Sequence, residues 1–173
     1  MIVRLLLFFL FQVTVFDLAA QPVKERKKTD SICQKILLDK SLQKKVFSNE
    51  EFMEQSTDNG AELTIYYKNN KVYRITEWIG LSNKVIISNY YFINNKLIFV
   101  KDEEYMFEHD PKTGEILSKL SKEDLFIGTY YFNNKKLVDQ ESLGHNRFED
   151  ERNDPEKEFL YSSVKYLKLF YRK

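Results

Sequence analysis

The 173-residue chain has one cysteine, three prolines and five glycines, and its 27 Lys and Arg almost cancel 26 Asp and Glu. Each scarcity removes a class of protein. A lone thiol forbids a disulfide within the chain, so packing must hold the fold together. So little proline and glycine excludes a collagen-like or low-complexity disordered chain. A formal net charge of +1 is too small for the basic field of a nucleic-acid-binding protein and implies no charge-steered partner. Gly-rich phosphate loops, a nucleophile elbow and the HExxH zinc motif are missing as well. What remains, 43% hydrophobic and 31% charged residues, is an ordinary globular composition.

Long hydrophobic runs are scarce too, with one exception at the start. Arg4 precedes the stretch Leu5 to Phe16, broken only by Gln12 and Thr14, and Leu18-Ala19-Ala20 follows it. A positive start, a short apolar run and small residues form the layout of a cleavable secretory signal, and the run is well short of the roughly 20 residues that span a bilayer. The expectation is a signal peptide over residues 1–20, with cleavage after Ala20 and no stable membrane span afterwards. The protein is then secreted or periplasmic. No cysteine adjoins the cleavage site, so lipid attachment there is excluded. Residues 21–30 read as a flexible basic lead-in, and residues 31–173 as a single α+β domain.

From Ser31 the apolar positions Ile32, Ile36, Leu37, Leu42, Val46 and Phe47 approximate helical spacing, which predicts a helix to about Phe47. Ser48 and Glu51 form a capping box that opens a short second helix to Glu54 or Gln55. The period then changes to two. IYYKNNKV (Ile65 to Val72), YYFINNKL (Tyr90 to Leu97) and YYFNNKKL (Tyr130 to Leu137) repeat one pattern: an aromatic strand, an Asn turn, Lys and a second strand. Asn suits such turns because it tolerates positive φ. A fourth hairpin turns at His109 to Gly114. Ser121 and Asp124 mark a single helical turn, and Asp154-Pro155 opens a terminal helix whose apolar face is Phe159, Leu160, Val164, Leu167 and Tyr171. The expected fold is α+β: an antiparallel β-meander of about six to eight strands built from repeated hairpins, one face packed by N-terminal and C-terminal helices.

Two-residue turns pair Tyr67 with Val72, Phe92 with Leu97 and Phe132 with Leu137. Strict alternation then places Ile65, Tyr67, Val72, Tyr90, Phe92, Leu97, Phe99, Tyr130, Phe132 and Leu137 on one face. Trp78 joins them by the same count. Tyr66, Tyr73, Tyr91, Ile98, Tyr131 and Val138 take the other. The first set is more apolar and should lie beneath the helices, leaving the second partly open. Tyr66, Tyr73, Tyr91 and Tyr131 are therefore the candidate binding residues, since Tyr supplies large contact area at small entropic cost. Cross-strand packing of Tyr, which strands favour, is the plainer reading of the same row.

The repeats YYFINNKLIFV and YYFNNKKL resemble the YYF-NGKL hairpins of small uncharacterised secreted proteins from Gram-negative bacteria. More distantly they resemble variant MORN repeats of toxin-antitoxin proteins. The first likeness runs from Ile32 to Leu137 and implies a helix-flanked antiparallel meander in the periplasm or outside the cell, with no assigned activity. Asn-Asn or Asn-Lys stands here where that pattern has Gly, and the departure weakens the MORN comparison most.

Candidates for chemistry are few. Cys33 beside Ile32 and Ile36 reads as a buried structural thiol, or one that pairs between chains; His109 and His145 fall in loops far from it. Glu104, Glu108, His109 and Asp110 lack metal-ligand spacing and read as a solvated hairpin tip. Glu149 to Glu151 precede a helix N-terminus, where acidic residues belong. No catalytic residue, metal or cofactor is assigned. The leading expectation is a non-catalytic module that binds a protein or other ligand, not nucleic acid, through the Tyr-rich face. Alternatives are a structural or immunity-type repeat protein and a hydrolase using His109 or His145.

Overall fold

Three turns set the architecture. Asn69-Asn70, Asn94-Asn95 and Asn134-Lys135 all adopt φ between 48° and 63°, the left-handed pair of a type I′ turn whose twist matches that of the flanking strands. Each closes its hairpin on the expected partners, Tyr67 with Val72, Phe92 with Leu97 and Phe132 with Leu137. The computed structural model describes residues 25–144, 148 and 153–172. Within it these hairpins lie side by side in a seven-stranded antiparallel sheet whose spatial order is the sequence order. The strands are β1 (Gln43–Ser48), β2 (Ala61–Lys68), β3 (Lys71–Gly80), β4 (Lys84–Ile93), β5 (Lys96–His109), β6 (Ile116–Asn133) and β7 (Lys136–Gly144). Helices α1 (residues 25–38), α2 (Asn49–Phe52) and α3 (Pro155–Tyr171) complete the α+β meander. The signal over residues 1–20, the acidic run Glu149 to Glu151 and His145 lie outside the described residues.

Several boundaries differ from the sequence expectation, each for a local reason. Helix α1 already exists at residue 25, inside the stretch read as a lead-in, and ends at residue 38. There the Asp39 carboxylate accepts the Ser41 amide at 2.9 Å and the Ser41 hydroxyl at 2.5 Å, a turn that competes with further helix. Residues 43–48 are consequently strand, not helix, paired along β2 from Gln43–Tyr67 to Ser48–Glu62. The capping box forms, with the Ser48 amide donating to Glu51 Oε2 at 2.7 Å, but α2 closes at Phe52. Ser121 to Asp124 belong to β6 instead of a helical turn. The long β5 offers them a ladder, and an isolated helical turn is marginal in comparison.

One repeated irregularity decides the two faces. In every repeat hairpin the register slips by one residue just past the turn, so that Tyr66 pairs with Arg74, Tyr91 with Phe99 and Tyr131 with Asp139. Tyr73, Ile98 and Val138 are the extra residues of three β-bulges. Alternation therefore reads in, out, out, in: Val72 and Ile75 share one face, and so do Leu97 and Val100. Phe99 moves to the opposite face from the one expected, and Trp78 moves with its register partner Ile87. Both assignments from strict alternation fail because a bulge adds one residue to the count.

The first face carries the main core. Leu63, Ile65, Val72, Ile75, Tyr90, Phe92, Val100 and Tyr130 are buried beneath Phe159, Tyr166 and Phe170 of α3. The Asp154 carboxylate caps that helix by accepting the Glu156 amide at 3.0 Å and the Lys157 amide at 3.3 Å. Its buried stripe is Phe159, Ser163, Tyr166 and Phe170 at i, i+4, i+7 and i+11, while Val164 is 47% and Tyr171 39% exposed. The apolar face expected from the sequence is thus rotated. The cause is polar: Tyr166 turns inward because its hydroxyl donates to the buried Glu77 carboxylate, which also accepts from Tyr90 at 3.1 Å. Burial, then Glu77, raises the Tyr166 pKa.

Two substitutions test this account. Lys135 holds φ 63° without being Gly or Asn, a strain worth roughly 1–2 kcal/mol that Gly relieves at some entropic cost. Lys135→Gly is expected to raise unfolding stability in urea by about 0.5–1 kcal/mol. Glu77→Leu removes the acceptor shared by two tyrosines and is expected to cost about 2–4 kcal/mol in the same measurement, with Glu77→Gln costing clearly less. Equal losses for Leu and Gln would show that the carboxylate is not the organising acceptor.

Candidate functional site

Through the bulges, each of the seven strands contributes one residue to a single cross-strand row on the second face: Lys44, Tyr66, Arg74, Tyr91, Phe99, Tyr131 and Asp139. In the row Tyr66 stands between two cations, three aromatic rings follow, and a carboxylate ends it. The Arg74 guanidinium lies 3.8 Å from the centroid of the Tyr66 ring and Lys44 Nζ 5.4 Å from it, while Tyr91, Phe99 and Tyr131 follow with centroids 5.7 Å and 5.0 Å apart. Such contacts suit a surface that must stay partly wet.

This face is not open at the tyrosines. Helix α1 lies across it, with Cys33 and Ile36 packed against Tyr91, Phe99, Ile98 and Tyr131. The two terminal helices thus cover opposite faces, where the sequence placed both on one. Tyr91 is 7% exposed, and Tyr66, Tyr73 and Tyr131 are half-buried. Tyr66 is held under Arg74, and Tyr73 lines a shallow groove with Ile36 and Lys35. Tyr131 donates its hydroxyl to Asp30 of α1 at 3.0 Å, and Arg26 sits 5.4 Å over its ring.

Few interactions fasten α1. Arg26 meets Asp139 through Nε and also through Nη2 at 2.5 Å, and reaches Glu141 at 3.2 Å, a fork that matches the carboxylate plane. Arg26 holds the Asp139 pKa below the usual carboxylate range. Beneath the helix, burial pushes the Cys33 thiol up to about 12 and, with the Asp30 bond second, the Tyr131 hydroxyl also to about 12. Cys33 is thus a buried neutral thiol, the packing role expected of it. Leu37 and Leu38 of the same helix are 50% and 66% exposed, so its apolar anchorage is thin.

Between α1 and the ends of the repeat hairpins lies a cleft of about 520 Å³. Ile32, Ile93, Ile98 and Val138 form its apolar lining, with Arg26, Tyr131 and Asp139 at its polar side. Two of these, Ile98 and Val138, are bulge residues that point into the cleft because of the register slip. The sequence reading found Tyr131 alone among the polar group. Asp30 and Arg26 were discoverable by continuing the helical stripe of Cys33 three and seven residues upstream; Asp139 carried no signal of its own.

His109 is exposed at the β5–β6 turn, its Nδ1 3.3 Å from the Gly114 carbonyl, and Asp110 there accepts the amides of Lys112 and Thr113. Those turn bonds lower the Asp110 pKa. Among the described residues no cluster of three or more His, Cys, Asp or Glu is placed to hold a metal ion. No helix there is long and apolar enough to cross a membrane. No family model, curated protein or solved structure compared with the chain matches it.

Removing the Arg26 anchor should loosen α1 locally. Asp139→Ala is expected to raise the rate at which a thiol reagent labels Cys33 at pH 8 by between roughly 1.5-fold and 5-fold, the range of a surface ion pair. Because the Asp139 pKa is depressed, its contribution is complete above the ordinary carboxylate range and disappears as pH falls through the lowered value. Amide exchange in α1 should therefore accelerate below about pH 4 relative to the rest of the sheet. Unchanged Cys33 labelling in Asp139→Ala would remove the latch.

Proposed function

We propose that this is an exported, non-catalytic binding module whose ligand enters the cleft between α1 and the hairpin ends. The cleft itself carries the reading. Its volume of about 520 Å³ lies within the range of small-molecule sites, and its lining joins an aliphatic wall to polar and charged side chains from α1 and the hairpin ends. Arg26, Tyr131 and Asp139 give one end hydrogen-bonding and charged character, while Ile32, Ile93, Ile98 and Val138 give the other an aliphatic wall. A ligand with an apolar body and a polar head fits both. The tyrosine row has a different role from the one expected of an exposed surface: of the four tyrosines only Tyr131 lines the cleft, while Tyr91 packs beneath α1 and Tyr66 lies under Arg74. The apolar start of the chain, Arg4 through Ala20, supports export.

The test uses a cleft-filling change at an exposed position. Val138 is 56% exposed, so Val138→Arg should fold normally while occupying the space. Small amphipathic ligands selected for raising the melting temperature of the protein should lose that effect in Val138→Arg; at a concentration 100-fold above Kd the loss corresponds to about 2.7 kcal/mol. Ligands that stabilise both proteins equally would place binding elsewhere. N-terminal sequencing of the exported protein should begin at Gln21; retention of Met1 would end the export reading.

A further inference from the structure

The net charge of +1 conceals a segregation. All three repeat turns lie at one end of the sheet, and every one brings lysine: Lys68 and Lys71 at the first, Lys96 at the second, Lys135 and Lys136 at the third, all exposed. Neighbouring repeat turns are two strand spacings apart, about 9.5 Å. Helix α3 ends at the same corner, where the Tyr171 hydroxyl donates to the Asn70 carbonyl at 3.0 Å and contacts Asn95 Oδ1 at 3.2 Å. From Phe159 to Arg172 that helix contains no acidic residue, and its outward stripe is Tyr161, Val164, Lys165, Lys168 and Arg172. Tyr161 is 68% exposed, and shallow grooves run along both sides of the stripe, one of them reaching Glu51 of α2.

Pairing sharpens the contrast. At the opposite end of the sheet Lys84 pairs with Glu104 at 2.5 Å and Lys119 with Glu108 at 2.8 Å, and Lys101 pairs with Glu103 at 2.6 Å. Among the described residues, Lys71, Lys96, Lys135, Lys136, Lys165, Lys168 and Arg172 pair with no carboxylate. Glu51 is occupied at the Ser48 amide. Unneutralised cations are thus gathered along the outer side of α3 and around the corner onto the turns, with a tyrosine and a valine between them.

We propose that this corner docks the protein peripherally on an anionic phospholipid bilayer. Cations spread along one helix face and a row of turns, with only open grooves among them, match a laterally extended negative surface better than one compact anion. Exposed Tyr161 and Val164 between lysines match the headgroup level, where amphipathic aromatic residues and snorkelling lysines settle. The docking uses none of the residues that line the α1 cleft, which opens on the other face of the sheet beside the same hairpin ends.

The experiment is sedimentation of the protein as it is produced with vesicles of phosphatidylcholine alone and of phosphatidylcholine with 30% phosphatidylglycerol. A residual hydrophobic N-terminal segment would bind both, so the readout is the ratio between them. The expected preference for anionic vesicles is at least tenfold at low salt and declines towards one in 0.5 M NaCl. Lys165→Glu/Lys168→Glu/Arg172→Glu, with folding checked by circular dichroism, should lower anionic binding by at least roughly 100-fold. Should that triple variant misfold, Lys71→Glu/Lys96→Glu on the turns should lower it by roughly 25-fold. The distant Lys112→Glu should leave it unchanged. No anionic preference, a preference that survives both sets of reversals, or tight binding of polyglutamate or duplex DNA without vesicle preference would overturn the proposal, the last pointing to an acidic macromolecule instead.

Discussion

Among the described residues six other than glycine hold the backbone in the left-handed region, two at each repeat turn, and the rest of the architecture depends on that constraint. A type I′ turn twists its strands the way a sheet must twist, so it fixes which residues face one another across the hairpin. The bulge one step beyond increases the twist and moves two consecutive side chains to the same face. Repeated three times, this gives the sheet a periodic exception to alternation. Val72 with Ile75 and Leu97 with Val100 grip the α3 side, while Tyr73 with Arg74, Ile98 with Phe99 and Val138 with Asp139 are available to the other. Without the slip, Phe99 would point into the α3 core and Asp139 could not meet Arg26.

The two faces are held together by different physics. Under α3 the association is predominantly apolar, with Phe159, Tyr166 and Phe170 inserted among sheet aromatics and the Glu77 carboxylate accepting two tyrosine hydroxyls. Under α1 the apolar contribution is small, chiefly Cys33 and Ile36, and an arginine fork and a tyrosine hydroxyl position the helix. Burial of large rings persists at any salt concentration, whereas partly exposed ion pairs weaken with salt and acid. The first face is accordingly a scaffold, and the second is the one that a modest local rearrangement can uncover.

Hairpins, their turn pairs and the caps at Ser48 and Asp154 were legible in the sequence because each depends on neighbours a few residues apart: Asn at positive φ, Ser three before Glu, Asp before Pro. The faces were only half legible. Strict alternation assigned Tyr66, Tyr91 and Tyr131 to one side correctly but misplaced Phe99 and Trp78, since a bulge leaves no obvious mark in composition. Spacing also misjudged α3, where Tyr166 is turned inward by Glu77, 89 residues earlier in the chain. The candidate cleft was legible only at Tyr131, Ile98 and Val138; its charged side arises from Arg26 and Asp139, 113 residues apart, which no local pattern connects.

Strand order equal to sequence order has a kinetic consequence. Every pairing in the sheet joins neighbours along the chain, so each strand closes a short loop as it adds, and the meander can grow outward from any one of its Asn turns. The two terminal helices are the exceptions: α1 waits for Tyr131 and Asp139, and α3 must find Tyr67, Glu77 and Tyr90 after most of the chain has been made. A chain interrupted before Asp154 would therefore possess its ribbon but leave one broad aromatic side bare, a form liable to stick to its own kind until the last helix arrives.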